Sequence, residues 1–307
     1  MRASVGIEPE SGLYYEILGD GTGYPHPLLF IHGGGGTGRT WRSSLGGGAG
    51  WADLLAADGY ECWVTDWPGQ GRSHYRDLLT LRYTDAIDGY ISLLRDVIRR
   101  PVVILPHSMG GAIAWRLVEE LPDLVAGVVG IACVYPANVQ DPPEILSDDG
   151  TVVHLRFADT GVDFHVDRSR PYTYESQYFT KQSVAGSKHF DPAWLPRMGG
   201  SVMGPMQLLQ RVGAIPGMPT IERTASFAAK RVRLVAGDED PAHTLRIETR
   251  TAGLLRSWGA DAEVVWLPDE GIVGNGHYLP GELNYLDVLS VVEKQFAYIA
   301  GSSPGIS

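Results

Sequence analysis

The chain has 307 residues, 44% hydrophobic and 20% charged, and its 36 acidic against 25 basic residues leave a formal net charge of −11. The length admits two average domains or one α/β unit with an insertion, and the composition is that of a globular protein rather than a disordered one. The negative balance argues against nucleic acid or an anionic membrane as the main partner, because phosphate recognition needs a basic face. No stretch has the apolar length of a membrane span, and the opening MRASVGIEPESG carries no apolar run behind its one arginine. A soluble, cytoplasmic protein is the expectation.

In chain order, residues 13–18 read as a first strand, followed by the turn-rich GDGTGYPHP. Residues 28–31 are a short buried strand leading to His32 and the run Gly33 to Gly36. Glycines interrupt residues 41–50, which read as irregular, and 51–57 as a short helix. Residues 60–66 form the next strand, ending in DWPGQGRS. From 84 to 99, Ile87, Tyr90, Ile91, Leu94, Val97 and Ile98 recur at helical spacing, with Thr84 as cap and Pro101 as stop. The run 102–105 has the length and β-branched content of a buried strand. It stops on Ser108, and small and apolar residues at helical spacing follow from Met109 to Leu117.

Residues 124–134 supply another buried strand. Then 137–229 break the alternation, polar and aromatic by turns, with Tyr172, Tyr174, Tyr178, Phe179, Phe190 and Trp194. A structureless loop of that length is improbable in a compact domain, so an inserted cap is expected there, with 151–157 and 162–166 as a hairpin. The core rhythm resumes with a strand at 231–236 that ends in GDEDP. A helix at 244–258 stops at Gly259, and the last strand spans 262–267. His277 lies in the turn GIVGNGHYLP, and 283–299 form the closing helix. Strands alternating with helices indicate a mostly parallel sheet covered on both faces.

A side chain at the tip of a sharp strand-to-helix turn stands beside the amides that open the helix, which suits a nucleophile whose attack creates an oxyanion. The segment PHSMG around Ser108 resembles the nucleophile elbow G-x-S-x-G of the α/β-hydrolases, with Pro106 in place of the first glycine and Gly110 as the second. DWPGQGRS resembles the D-x-P-G-x-G-x-S turn after the fourth strand of many members. The competing bland reading of Ser108 is a helix cap. The resemblance implies an α/β-hydrolase fold built from 1–136 and 230–307, with 137–229 as cap or lid. Cys62 and Cys133 would then lie on strands that are not neighbours, as two buried thiols rather than a disulfide.

A serine hydroxyl needs a base within hydrogen-bond reach and a carboxylate to orient that base. The family's order of serine, acid and histidine is met by Ser108, then the cluster Asp238, Glu239 and Asp240, then His277. Asp240 is favoured because it stands three residues after Gly237, as in the family's G-x-x-D turn, and Asp238 is second. The region ACVYPANV offers no carboxylate for the alternative position used by some esterases. His243 is a weaker candidate base, His107 is expected to point away from the serine as a structural residue, and His32 is expected to brace the oxyanion loop. The amides of Met109 and Gly34 are the preferred oxyanion donors, with Gly35 as substitute. The expected activity is hydrolysis of a carboxylic ester or lactone through an acyl-enzyme. Acyl transfer or lyase chemistry on the same fold is the alternative.

A rival of another class is a nucleotide-binding protein. Gly33 to Thr40, GGGGTGRT, is one residue from the P-loop pattern, with Arg39 for lysine, and contains G-x-G-x-x-G as Gly33, Gly35 and Gly38. Such matches arise easily in a chain with 39 glycines. No His, Cys and carboxylate cluster has metal-ligand spacing, so neither metal nor cofactor is expected. The partner expected is a small-molecule ester or lactone, apolar or aromatic if the cap's aromatic residues line the site.

Overall fold

A computed structural model of the chain describes residues 3–44, 46–157, 163–173, 187–190, 202–218 and 220–301. The strands before the insertion are β1 (Ala3–Ile7), β2 (Tyr14–Leu18), β3 (Leu28–Ile31), β4 (Cys62–Asp66), β5 (Val102–Ser108) and β6 (Val125–Cys133). Within residues 137–229 lie β7 (Glu144–Asp148), β8 (Val152–Arg156), β9 (Asp163–Asp167), β10 (Tyr172–Thr173) and β11 (Val202–Met203), and after them β12 (Arg231–Ala236) and β13 (Asp261–Trp266). Eight strands share one sheet in the order β1-β2-β4-β3-β5-β6-β12-β13. The pairings β1 with β2 and β2 with β4 are antiparallel, and every later one is parallel. Strand β1 was not anticipated. It is largely exposed, so its sequence lacks the buried apolar face by which strands are recognised.

Alternation along the strands divides the core in two. Helices α1 (Arg39–Arg42) and α2 (Trp51–Ala57) precede α3 (Tyr83–Ser92) and α4 (Gly110–Glu120), and Leu29, Ile31, Val102, Ile104 and Val128 pack on one face against Ile87 and Tyr90 of α3 and Ile113 and Leu117 of α4. Leu28, Phe30, Val103, Leu105 and Val129 pack on the other against Trp51 and Leu55 of Trp51–Ala57, together with Val288, Val292 and Phe296 of Tyr285–Ile299. Strands flanked on both faces are mostly apolar, and β3 and β4 are buried at every position, the polar Thr65 and Asp66 of β4 being hydrogen-bonded. Cys62 and Cys133 are buried free thiols on β4 and β6, with β3 and β5 between them.

Helix α3 starts one residue earlier than expected. Thr84 lies inside it, and the Asp85 carboxylate accepts the Arg82 N–H at the start instead (2.7 Å). Its last turn widens into a π-helix over Leu93–Ile98 that ends at Arg99 with φ +59°. In the insertion, β7, β8 and β9 form an antiparallel sheet whose Val153, Leu155, Phe164 and Val166 are buried at every second position, so the expected hairpin is present with a third strand added. Tyr172 lies 6.1 Å from Phe164. Tyr174, Tyr178, Phe179 and Trp194 fall outside the described residues. Among the described residues no helix is long and apolar enough to cross a membrane.

Candidate active site

Strand β5 ends on Ser108, whose φ of +49° is a left-handed conformation that costs a non-glycine residue about 1 to 3 kcal/mol. Its surroundings impose that conformation. Val134 N–H donates to the Ser108 carbonyl (2.9 Å), and the Tyr83 hydroxyl donates to the carbonyl of Met109 (2.5 Å). A Cβ on Gly110 would stand 2.8 Å from the His32 carbonyl oxygen, and one on Gly111 2.5 Å from that of Val134. Glycine is therefore required where helix α4 leaves the turn against β3 and β6, while Pro106 keeps its place opposite Ile31 in the ladder. Helix α4 is capped by Met109 without a side-chain bond, so Ser108 is not a helix cap.

The Ser108 hydroxyl lies 2.9 Å from His277 Nε2, and His277 Nδ1 lies 2.7 Å from Asp240 Oδ2. A carboxylate only accepts, so Nδ1–H donates to Asp240, which leaves the Nε2 lone pair facing Ser108. Asp240 is buried, and its other oxygen accepts the Ala242 N–H (2.9 Å). Burial alone would raise its pKa. The His277 ring and its hydrogen bond, then His243 and the Ala242 amide, outweigh burial and hold it at about 2. Asp238 does different work, its Oδ1 accepting the amides of Gly274 (2.7 Å) and Asn275 (3.3 Å). Glu239 meets the same loop only through its main chain, its N–H donating to the Asn275 carbonyl (2.9 Å).

The loop that carries His277 is clamped from below. Buried Glu282 accepts the Gly276 amide (2.9 Å) and the Asn275 side chain (2.5 Å), and Asn275 and Asn284 exchange bonds of 2.8 and 3.0 Å. His107 Nε2–H donates to the carbonyl of His277 (3.0 Å), and burial, then the neighbouring His277, push its pKa down to about 3. Its ring is thereby tied to the histidine loop, a contact that its place in the sequence does not signal. His32 accepts the Trp67 N–H at Nε2 (3.1 Å), so its proton sits on Nδ1 and donates to the Gly33 carbonyl (2.8 Å). That brace presses the glycine run against the elbow, where a Cβ on Gly33 would stand 2.8 Å from Ser108 Cβ.

The same run does not form a phosphate cradle. Gly38 N–H donates to the buried Asp66 carboxylate (2.6 Å), Gly36 N–H to the Gly33 carbonyl (3.1 Å) and Thr40 N–H to the Thr37 carbonyl (3.0 Å). An anion already occupies the glycine turn, and Arg72 neutralises it (2.9 Å). A P-loop instead offers free amides to a phosphate.

His243 lies closer to the site than its place in the sequence suggested. Its ring stacks on His277 with centroids 5.2 Å apart and planes 20° apart, and its Nδ1 bonds Glu248 (2.8 Å), both side chains being buried. No spacing in the sequence signals a metal cluster, yet Asp240, His243 and His277 each place a potential ligand atom within 4.8 Å of the others.

Residues 28–283 match the model of the alpha/beta hydrolase family, and the chain belongs to that family. Over 333 aligned residues it is 24% identical to a probable secreted lipase, phiG, of a fungal species (Fungal sp.), covering 87% of this chain and 80% of the relative. That relative's name gives the cytoplasmic expectation no support. Among solved structures, a serine hydrolase involved in carbazole degradation is 16% identical with a TM-score of 0.62, covering 97% of this chain and 100% of the other. Est816, described as an N-acyl homoserine lactone degrading enzyme, is 18% identical with a TM-score of 0.58, covering 92% and 95%.

Proposed function

We propose that this protein is a serine hydrolase that cleaves a carboxylic ester or lactone through an acyl-enzyme, with residues 137–229 forming a cap over the site. The observation that carries the reading is the hydrogen-bonded chain from Asp240 through His277 to Ser108. In this mechanism Ser108 Oγ attacks the substrate carbonyl carbon as its proton passes to His277 Nε2. The resulting imidazolium is stabilised by Asp240, which stays ionised because its own pKa lies near 2. The amides of Met109 and Gly34 hold the oxyanion, each donor contributing roughly 2.7 to 4 kcal/mol to the transition state. His277 then returns the proton to the leaving alkoxide, and water activated by the same imidazole releases the acid.

The names of the fungal lipase and of Est816 support an ester or lactone substrate. The test is a panel of p-nitrophenyl esters, lactones and thioesters given to the wild type and to Ser108→Ala. The variant should lose at least about 10³-fold in kcat. Turnover of an ester that persists unchanged in Ser108→Ala would remove the reading.

A further inference from the structure

We propose that Asp240, His243 and His277 form a binding site for a divalent transition-metal ion of the Zn2+ type, and that filling it switches off the base. The inhibitory consequence rests on the function proposed above, but the binding itself does not. Three observations carry it. The first is geometric. The ligand atoms lie within 4.8 Å of one another, and tetrahedral zinc with bonds of about 2.0 to 2.2 Å needs such atoms about 3.3 Å apart, so the ion has to draw them together by at most about 1.5 Å. The second is the donor set. Two imidazoles and one carboxylate favour zinc, copper or nickel over the hard cations magnesium and calcium.

The third is the buried carboxylate of Glu248, 2.8 Å from His243 Nδ1. By accepting the Nδ1 hydrogen it leaves Nε2 as the atom available to an ion, which displaces any proton held there, and it fixes the ring plane, as carboxylates behind metal-bound histidines do. The hydrolysis proposed above does not use it. The charged and titratable groups around His243 are Asp240, Glu248, His277, His107 and Arg211. The two carboxylates are both buried and draw a cation, and Arg211, a buried cation near them bonded to Gln140 (2.5 Å), opposes only part of that pull. The His277 side chain is 14% exposed while that of Asp240 is fully buried, so an ion reaches the site only as the His277 ring turns aside.

The chemistry balances without a co-reactant. In the competent tautomer the His277 proton sits on Nδ1 and points at Asp240. A metal bound to Nδ1 and Asp240 displaces that proton, which the ring takes up again at Nε2 through solvent. The imidazole then presents N–H to Ser108 and cannot accept the hydroxyl proton. Chelation of the metal reverses the exchange.

The experiment has two arms. Ser108→Ala protein, which keeps every proposed ligand, is titrated with zinc chloride by calorimetry and equilibrium dialysis. In parallel, wild-type cleavage of a p-nitrophenyl ester is followed with zinc chloride and then with EDTA. One zinc per chain is expected, with affinity falling about tenfold or more in Glu248→Gln and stoichiometric binding lost in His243→Gln. Inhibition should follow the same occupancy curve and vanish with EDTA. Absence of stoichiometric binding overturns the proposal. So does binding that survives in His277→Ala, a partly exposed position that remains a valid test if His243→Gln does not fold; such binding would be at a surface pair such as His154 and His165. Zinc binding in a protein that cleaves no ester leaves the binding site standing and removes the proposed function together with the inhibition that rests on it.

Discussion

Two aspartates two residues apart do different jobs because one is buried against an imidazole and the other faces backbone amides. Asp240→Asn replaces an acceptor with a group that can present N–H to His277 Nδ1, which favours the wrong tautomer. The expected loss in kcat is about 10⁴-fold, measured by steady-state kinetics on the best ester of the panel. Asp238→Asn keeps the oxygen that accepts the Gly274 and Asn275 amides and should lose less than about tenfold in kcat. Similar losses in both variants would mean that the acid is misassigned. At the same scale, His107→Ala removes a bond to the carbonyl of His277 (3.0 Å), a group touching neither the hydroxyl nor its proton. It should lower melting temperature and kcat together, in the range of about 1 to 3 kcal/mol of stability.

The strand, elbow and helix form a unit whose geometry explains which parts of the site were readable. A left-handed serine followed by a helix pressed on two neighbouring strands leaves room only for hydrogen at Gly110, so the requirement is local and appears as a short motif. Gly110→Ala places a methyl 2.8 Å from a backbone oxygen that has no rotamer to escape through. The variant should be destabilised by about 1 to 3 kcal/mol in urea titrations, with ester cleavage falling as the elbow shifts. Tyr83→Phe, which removes one hydroxyl donated to the Met109 carbonyl, should cost about 1 kcal/mol and leave the fold intact. The clamp of Glu282, Asn275 and Asn284 and the His243 and Glu248 pair were not readable. Their partners meet because of loop shape and tertiary packing, and neither spacing nor periodicity records that. The exposed strand β1 and the π-helical end of α3 escaped for a similar reason, since neither alters the hydrophobic pattern.

Across the molecule, two cores back to back hold a rigid sheet, and polar groups buried at its carboxyl edge make stability depend on pH. His32 is fully buried, and burial pushes its pKa from the ordinary 6.5 down to about 4. The folded state favours neutral imidazole, so the unfolded chain binds the extra proton first as pH falls. The stabilising contribution is complete above pH 6.5 and is lost as pH drops toward about 4. His107 acts in the same direction, with its own pKa held at about 3. The urea midpoint should therefore fall between pH 7.5 and pH 5, and the fall should be smaller in His32→Asn than in the wild type. His243, whose pKa is raised, opposes this trend, so the decisive comparison is between proteins: a fall in His32→Asn as large as in the wild type contradicts the burial assigned to His32.

One short piece of residues 137–229 is bonded to the loop that carries His277. Lys188 N–H donates to the Gly274 carbonyl (2.8 Å), the His189 ring to that of Val273 (2.8 Å), and Leu283 N–H to the His189 carbonyl (2.7 Å), so residues 187–190 are sewn to both ends of the histidine loop. Swapping the insertion wholesale to alter selectivity would therefore unfasten the imidazole as well. A chimera that keeps this four-residue stitch, and exchanges only what lies beyond it, is the one that should retain a working base.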